Sequence, residues 1–207
     1  MLDFVLFLLL MMLVILIFII VEMGDITNKF KREMDFAGGK GTREDPYLIS
    51  SQEHLHNVRY HLDRHFRQTA DIDLKNYCRL RGFSGGWQPL GNEDSKFRGS
   101  YDGQGHLIKN LRIEAPDSDC LGLFGAISGD SLLENIELEN VDIIGRNRVG
   151  GLVGVNEGRI SDCRGEGDIR ARRYVGGIAG SNRGELENCE FRGVVRGMAH
   201  FGEISGG

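Results

Sequence analysis

Proline is scarce in this sequence, and closely paired cysteines are missing altogether. Only three prolines accompany thirty glycines in 207 residues. Glycine is thus at about twice its usual ~7%. Without a Gly-X-Y period or abundant proline, that excess marks neither a collagen-like helix nor low-complexity disorder. Cys78, Cys120, Cys163 and Cys189 contain no CxxC pair, which argues against a zinc ribbon, and the chain is too long for a disulfide-dense miniprotein. Positive charge is not in excess either. The formal net charge is −5, whereas a general nucleic-acid binder is usually basic, so no nucleic-acid partner is expected.

What is present begins with an apolar run. Phe4–Val21 is an unbroken stretch of 18 apolar residues, which as a helix rises roughly 27 Å, close to the ~30 Å of a bilayer core. A cleaved signal peptide is the rival reading. Against it, Asp3 stands where a positive charge is wanted, and Glu22-Met23-Gly24-Asp25 is a poor cleavage site. Residues 1–23 are therefore read as a membrane anchor or uncleaved signal, with the lipid bilayer as partner. Lys29, Lys31 and Arg32 follow the span and would place that side in the cytoplasm by the positive-inside rule. Residues 24–42 are largely polar, close on Gly38-Gly39-Lys40-Gly41, and read as a linker.

The rest of the chain is governed by a repeat. Val149–Tyr174 (VGGLVGVNEGRISDCRGEGDIRARRY) and Val175–His200 (VGGIAGSNRGELENCEFRGVVRGMAH) match at an offset of 26 residues. Val149/Val175, Gly154/Gly180, Asn156/Asn182, Gly158/Gly184, Cys163/Cys189 and Gly167/Gly193 coincide, and a partial copy occupies 201–207. Leu121 opens a looser upstream copy with two extra residues. A unit this short, with brief apolar runs between glycines, is too small for a propeller blade and lacks helical periodicity. It suits one turn of a parallel β-solenoid, whose strands stack in register at about 4.8 Å. Four unmatched positions swap sign between copies: Glu157/Arg183, Arg159/Glu185, Arg164/Glu190 and Glu166/Arg192. Stacking would place each pair side by side and stabilise the rungs, whereas Arg170 over Arg196 breaks the pattern.

Upstream, Phe97–Ile113 reads as an atypical rung that turns at Asp102-Gly103-Gln104-Gly105. Ser51–Leu62 reads as a helix, with Ser51 as N-cap and Leu55, Val58 and Leu62 as its apolar stripe. Open solenoid ends need cover, so this helix and Tyr47-Leu48-Ile49 are assigned to an N-terminal cap over residues 43–96. The solenoid proper is assigned to 97–207. No comparable cap follows His200, which leaves an exposed rung, end-to-end self-association through it, or a longer parent protein as alternatives.

The units VGGLVGVNEGRISDC and VGGIAGSNRGELENC resemble the GLUG motif of large bacterial and archaeal surface proteins. The lead-in GGKGTREDPYLISSQEHLHNVR, FRQTADIDL, GWQPLGN and FRGSYDGQGHLIKNLRI resembles the usual approach to such repeats, in the usual order. The resemblance covers about Gly38 to the end. It implies an extracytoplasmic β-solenoid used for display, spacing or adhesion, also found beside IgA-peptidase domains, with no shared catalytic residues to carry over.

Few residues stand outside this scheme. His54, His61 and His65 would share a helix flank if the helix extended that far, and His61/His65 have the spacing of a zinc pair. The HExxH glutamate is missing, however, and a solvated flank is the plainer reading. Asp71 and Asp73 would share a strand face and could bind calcium or act as an acid–base pair; a structural strand is preferred. Cys163 and Cys189 stack as a disulfide or, preferably, as a ladder of free thiols. Asn156 and Asn182 form a turn ladder, and Trp87 is read as cap core rather than a sugar platform. Rows of Thr are missing, which disfavours an ice-binding face. The expectation is an all-β parallel β-solenoid of about 26-residue rungs with an N-terminal capping helix, preceded by a transmembrane-type helix. Its expected role is a non-catalytic, membrane-anchored surface module without metal or cofactor, with an unidentified glycan or protein ligand. A polysaccharide-acting solenoid enzyme or a fragment of a surface peptidase is the alternative.

Overall fold

Apolar segments of three to eight residues, cut apart by glycine and asparagine corners, cannot bury themselves within one turn of chain. They are buried by stacking. The computed structural model describes residues 11–15, 17, 35–77, 85–202 and 204–206, and there these segments form four parallel sheets. Sheet 1 stacks Tyr47–Ile49, His65–Gln68, Ser100–Asp102, Leu132–Glu134, Arg159–Ser161 and Glu185–Glu187. Sheet 2 stacks Ile72–Asp73, Leu107–Lys109, Glu137–Ile144, Arg164–Arg170 and Glu190–Arg196, with Arg112–Glu114 also on Glu137–Ile144. Sheet 3 holds Asp119–Leu121, Asn147–Gly150, Arg173–Gly176 and Ala199–Gly202, and sheet 4 holds Phe124–Ile127, Val153–Asn156 and Ala179–Asn182. Each full turn visits sheets 3, 4, 1 and 2 in that order.

The 26-residue period is the register itself. Asn147 pairs with Arg173, Val153 with Ala179, Arg159 with Glu185 and Arg164 with Glu190. The rung below is longer, and two local devices restore its register. The turn Ser128–Ser131 holds two more residues than its equivalent Glu157-Gly158; there Ser131 Oγ accepts from Ser128 N–H and donates to Phe97 C=O at 2.6 Å. A β-bulge between Leu138 and Val141 absorbs one more, so that Val141 faces Gly167.

Inward positions form columns. Tyr47, Phe66, Tyr101, Leu133, Ile160 and Leu186 lie one above another in sheet 1, and Ile113, Ile143, Ile169 and Val195 do so in sheet 2. Aromatic rings concentrate in the N-terminal rungs, where Phe97 and Phe124 meet at 5.0 Å between centroids and Tyr101 packs edge-on to Phe124 at 5.9 Å. The buried Tyr101 hydroxyl donates to Gln68 Oε1, and Gln68 Nε2 donates to Ala70 and Leu107 carbonyls. This interior polar group is therefore satisfied, as burial requires.

The N-terminal end is covered. Leu48, on the outermost strand of sheet 1, exchanges backbone hydrogen bonds with Ala37 and Gly38 at 2.9 Å each, which occupies an otherwise open edge. Ser51 caps the helix, accepting from His54 N–H at 3.2 Å, but the helix is shorter than its apolar spacing suggests. It runs Gln52–Asn57, tightens to a 3-10 turn over Val58–Tyr60, and ends there. Leu55 and Val58 are buried, whereas Leu62 lies beyond the helix and accepts from Arg98 N–H.

The membrane-spanning helix expected at Phe4–Val21 is corrected. Among the described residues no helix is long and apolar enough to cross a membrane. The helical residues described in that run are Met11–Ile15 and Ile17. The remainder of Phe4–Val21, with Lys29, Lys31, Arg32 and most of the expected linker, lies outside the described residues, as does Cys78. The bilayer partner and the membrane-anchored location rested on that span and fall with it.

Candidate functional site

The residues singled out in the sequence do not converge on one centre. His54 lies on the capping helix with Nδ1 3.3 Å from Ser50 N, His61 follows the 3-10 turn with its ring 5.7 Å from that of Tyr47, and His65 is in sheet 1, with Nδ1 2.9 Å from Ser100 Oγ. The early end of the helix separates the expected trio. Burial lowers the pKa of both His54 and His65. No group of three or more His, Cys, Asp or Glu able to hold a metal occurs among the described residues.

Asp71 and Asp73 flank Ile72 in sheet 2, but each is engaged with backbone. Asp71 Oδ1 accepts from Leu107 N–H at 3.0 Å, and this bond, ahead of Lys109, lowers its pKa. Asp73 Oδ1 accepts from Lys75 N–H at 2.9 Å and from Asn110 Nδ2 at 2.6 Å, and both lower its pKa. A general acid needs the opposite shift. Trp87 is buried, donates through Nε1 to Leu123 C=O at 3.2 Å, and carries Arg59 above its ring at 5.4 Å. It belongs to the core of the cap.

The recurring polar residues form ladders. Asn156 Nδ2 donates to Asn182 Oδ1 at 2.7 Å, while each Oδ1 accepts the N–H two residues on, from Gly158 at 3.0 Å and Gly184 at 3.3 Å. A second ladder runs along the corner between sheets 1 and 2, where Asn135 donates to Asp102 at 3.0 Å and Asn188 to Asp162 at 3.2 Å. Asn135, Asp162 and Asn188 have φ near +53°, a left-handed conformation that Asn and Asp tolerate best among non-glycine residues. Beside it Glu134 is pushed above the usual carboxylate range, first by burial and then by Asp102 and Asp162. Cys163 and Cys189 are free thiols stacked at the same corner. Their mutual hydrogen bond, with burial, raises Cys163, and the same contact lowers Cys189 to about 7.

The sign-swapped pairs are in the expected register, but their ion pairs are not all rung to rung. Arg183 meets Glu157 at 3.7 Å and Arg159 meets Glu185 at 3.9 Å. Arg159 is closer to Glu187, at 2.6 Å; Arg164 reaches down to Glu137 at 3.7 Å; and Arg192 turns to Glu190 on its own strand at 2.8 Å. Two-residue spacing on a strand puts like-facing neighbours within reach, so an exposed guanidinium has several partners.

A groove of about 730 Å³ escaped the sequence reading. It lies along sheet 3 and the end of sheet 4, lined by Arg146, Arg148, Arg172, Arg173, Arg183 and Tyr174 among others. Its geometry comes from two backbone features. Gly180 packs its strand against Asn147–Gly150, so that a Cβ there would stand 2.3 Å from Val149 N. Arg148 and Tyr174 occupy equivalent left-handed positions, φ +56° and +55°, at a cost of about 1–2 kcal/mol each for a non-glycine residue. The register skips both. Two successive side chains therefore face solvent, Asn147-Arg148 and Arg173-Tyr174, before Val149 and Val175 turn inward. The available signal was Gly145-Arg146-Asn147-Arg148 matched by Ala171-Arg172-Arg173-Tyr174 at the repeat offset.

With this geometry in hand, comparison with known proteins is direct. Residues 145–170, one full turn of the solenoid, match the GLUG motif. A candidate Gly-rich membrane protein of Evansella cellulosilytica is 39% identical over 132 residues, 61% of this chain and 15% of that protein. Halomucin of Haloquadratum walsbyi is 36% identical over 138 residues, 63% of this chain and 2% of that protein. The chain thus spans a small part of the curated relatives it matches. The crystal structure of a candidate immunoglobulin A1 protease from Bacteroides ovatus superposes with a TM-score of 0.65 at 26% identity, covering 78% of this chain and 51% of that one. The chain is a GLUG-motif parallel β-solenoid, related in fold to that protease-associated structure.

Proposed function

We propose that this chain is a non-catalytic structural and adhesive module, a rigid stack of rungs that presents its lateral faces to a ligand. One observation carries the reading: the Asn and Asp side chains that line the corners and strands of the stack are committed to one another or to backbone. Asn156 and Asn182, Asn135 and Asp102, Asn188 and Asp162 are ladder partners, and Asp71 and Asp73 accept backbone N–H groups. Catalytic acids and bases need pKa values moved toward the working pH, whereas the pair most suited to that task has them moved away. The matches to short stretches of far longer proteins support a modular role.

The test is an activity survey beside a binding survey. Purified protein incubated with polysaccharides and with immunoglobulin A1 should release no product while binding at least one immobilised surface polymer. Cleavage that disappears in an Asp71→Asn/Asp73→Asn variant would sink the reading in favour of a solenoid enzyme.

A further inference from the structure

We propose that the arginine-lined groove over sheets 3 and 4 binds an acidic polysaccharide, through its uronate carboxylates or sulfates. The proposal rests on the adhesive reading above and gives it a ligand class.

Positive charge is concentrated in this groove. The chain as a whole carries −5, yet five guanidinium groups meet in this groove, with Asp119 the one acid among its described lining residues. Asp119 is held by Arg146 at 2.7 Å, and Arg148 is held by Glu93 at 2.7 Å. The outer three arginines are weakly engaged. Arg172 approaches Asp117 only at 3.9 Å, and Arg183 approaches Glu157 at 3.7 Å. Glu157 is already bound by Lys96 at 2.5 Å. Arg173, exposed on its strand, has no ion pair among the described residues. Guanidinium forks left in this state match carboxylate and sulfate oxygens two at a time.

The cationic positions also repeat from rung to rung. Arg146 and Arg172 occupy equivalent positions on successive rungs, as do Asn147 and Arg173, about 4.8 Å apart along the stack. A row of donors at rung spacing suits a polymer with a charge on each repeating unit rather than a single small anion. A left-handed backbone recurs at Cys120, Arg148 and Tyr174, the same corner of successive rungs. It turns the Tyr174 side chain, 37% exposed, outward beside Arg173, where an aromatic ring offers a flat apolar face to a sugar ring.

Nucleic acid is the less suitable polyanion. Glu93, Asp117, Asp119 and Glu157 stand behind or beside the arginines and would repel a duplex that carries one charge per ~1.7 Å.

The experiment measures anisotropy of fluorescent heparin and alginate oligosaccharides, with a DNA duplex, poly-glutamate and neutral dextran as comparators, on the full chain at low salt. Alginate presents uronate alone and heparin presents sulfate beside uronate, so binding to heparin without binding to alginate assigns the sulfate as the source. The structure predicts binding to at least one of them, weakened at least tenfold in Arg172→Ser/Arg173→Ser/Arg183→Ser and less than about twofold in Arg164→Ser/Arg170→Ser/Arg192→Ser, which removes equal charge from sheet 2. Arg173→Ala, which breaks no ion pair, serves as the fold-neutral variant and should weaken binding about threefold with unchanged melting. No binding to either glycan, equal loss in both triple variants, or equal affinity for DNA or poly-glutamate would overturn the proposal. Failure to bind leaves the non-catalytic scaffold intact. Depolymerisation of a bound glycan would instead keep the groove and overturn the non-catalytic reading.

Discussion

Asn156 shows how a single residue is used in this fold. Its amide is fully buried and makes bonds along the chain, to Gly158, and across rungs, to Asn182. Asn156→Ala leaves the Gly158 N–H without its acceptor, and urea unfolding should show a loss of about 1–3 kcal/mol. Cys189 offers a chemical readout. With its pKa lowered to about 7 by Cys163, it should react with a disulfide reagent with a midpoint near pH 7, while buried Cys163 stays protected. In Cys163→Ala, loss of the thiol donor should move that midpoint upward. A midpoint unchanged by that substitution would contradict the stacked-thiol geometry. The aspartates set the acid limit. Asp71, Asp73 and Asp119 all have folded pKa values below the ordinary carboxylate value. Their contribution is present above about pH 4 and is lost as pH falls through the lowered values, so a melting series should decline below pH 4. Asn156, Asn182 and the cysteine stack were legible because they repeat without change at 26 residues. The bond from Asn135 to Asp102 was not, because Asp102 pairs in register with Glu134 and the bond crosses to the next position along the chain.

At the scale of the element, register is set by apolar columns and by close backbone approach, with surface charge adding little. Gly180 is the test case: a Cβ there would meet Val149 N at 2.3 Å, which no rotamer can relieve. Gly180→Ala should cost about 1–3 kcal/mol as overpacking, measured by thermal or urea unfolding. By contrast, Arg183→Glu breaks an exposed pair at 3.7 Å and should cost under about 1 kcal/mol. The sign-swapped residues predicted the strand pairing correctly and the ion pairs only in part. Each long arginine chooses among carboxylates above, below and along its strand, and sequence offset carries no information on that choice. The capping helix was legible in its N-cap and in Leu55 and Val58. Its length was not, since the chain must turn after Tyr60 to reach His65–Gln68, which pairs on both sides. Tertiary pairing there overrides the local apolar period.

At the scale of the molecule, the repeat identified the architecture and hid the candidate site. Columns of inward residues from Tyr47 to Leu186, buried as far as Ile160, mean that each turn is stabilised mainly by its neighbours, as in other quasi-one-dimensional folds. The apolar run Phe4–Val21 met the requirement for a membrane span by composition alone, while among the described residues no helix is long and apolar enough to cross a membrane. The arginine groove was missed for a related reason. Its five arginines come from two rungs and from both arms of a tight arch between sheets 3 and 4, and only the glycine-permitted approach of those arms gathers them. The central claim is that Val149–Tyr174 is one interchangeable, in-register turn. Deleting residues 149–174 joins Arg148 to Val175 and should preserve every sheet, giving a β-rich circular dichroism spectrum and cooperative urea unfolding with a smaller m-value. Deleting 149–161, half a turn, should abolish cooperative unfolding. If the 26-residue deletion unfolds the chain, or the 13-residue deletion is tolerated equally well, the account of stacked 26-residue rungs is contradicted.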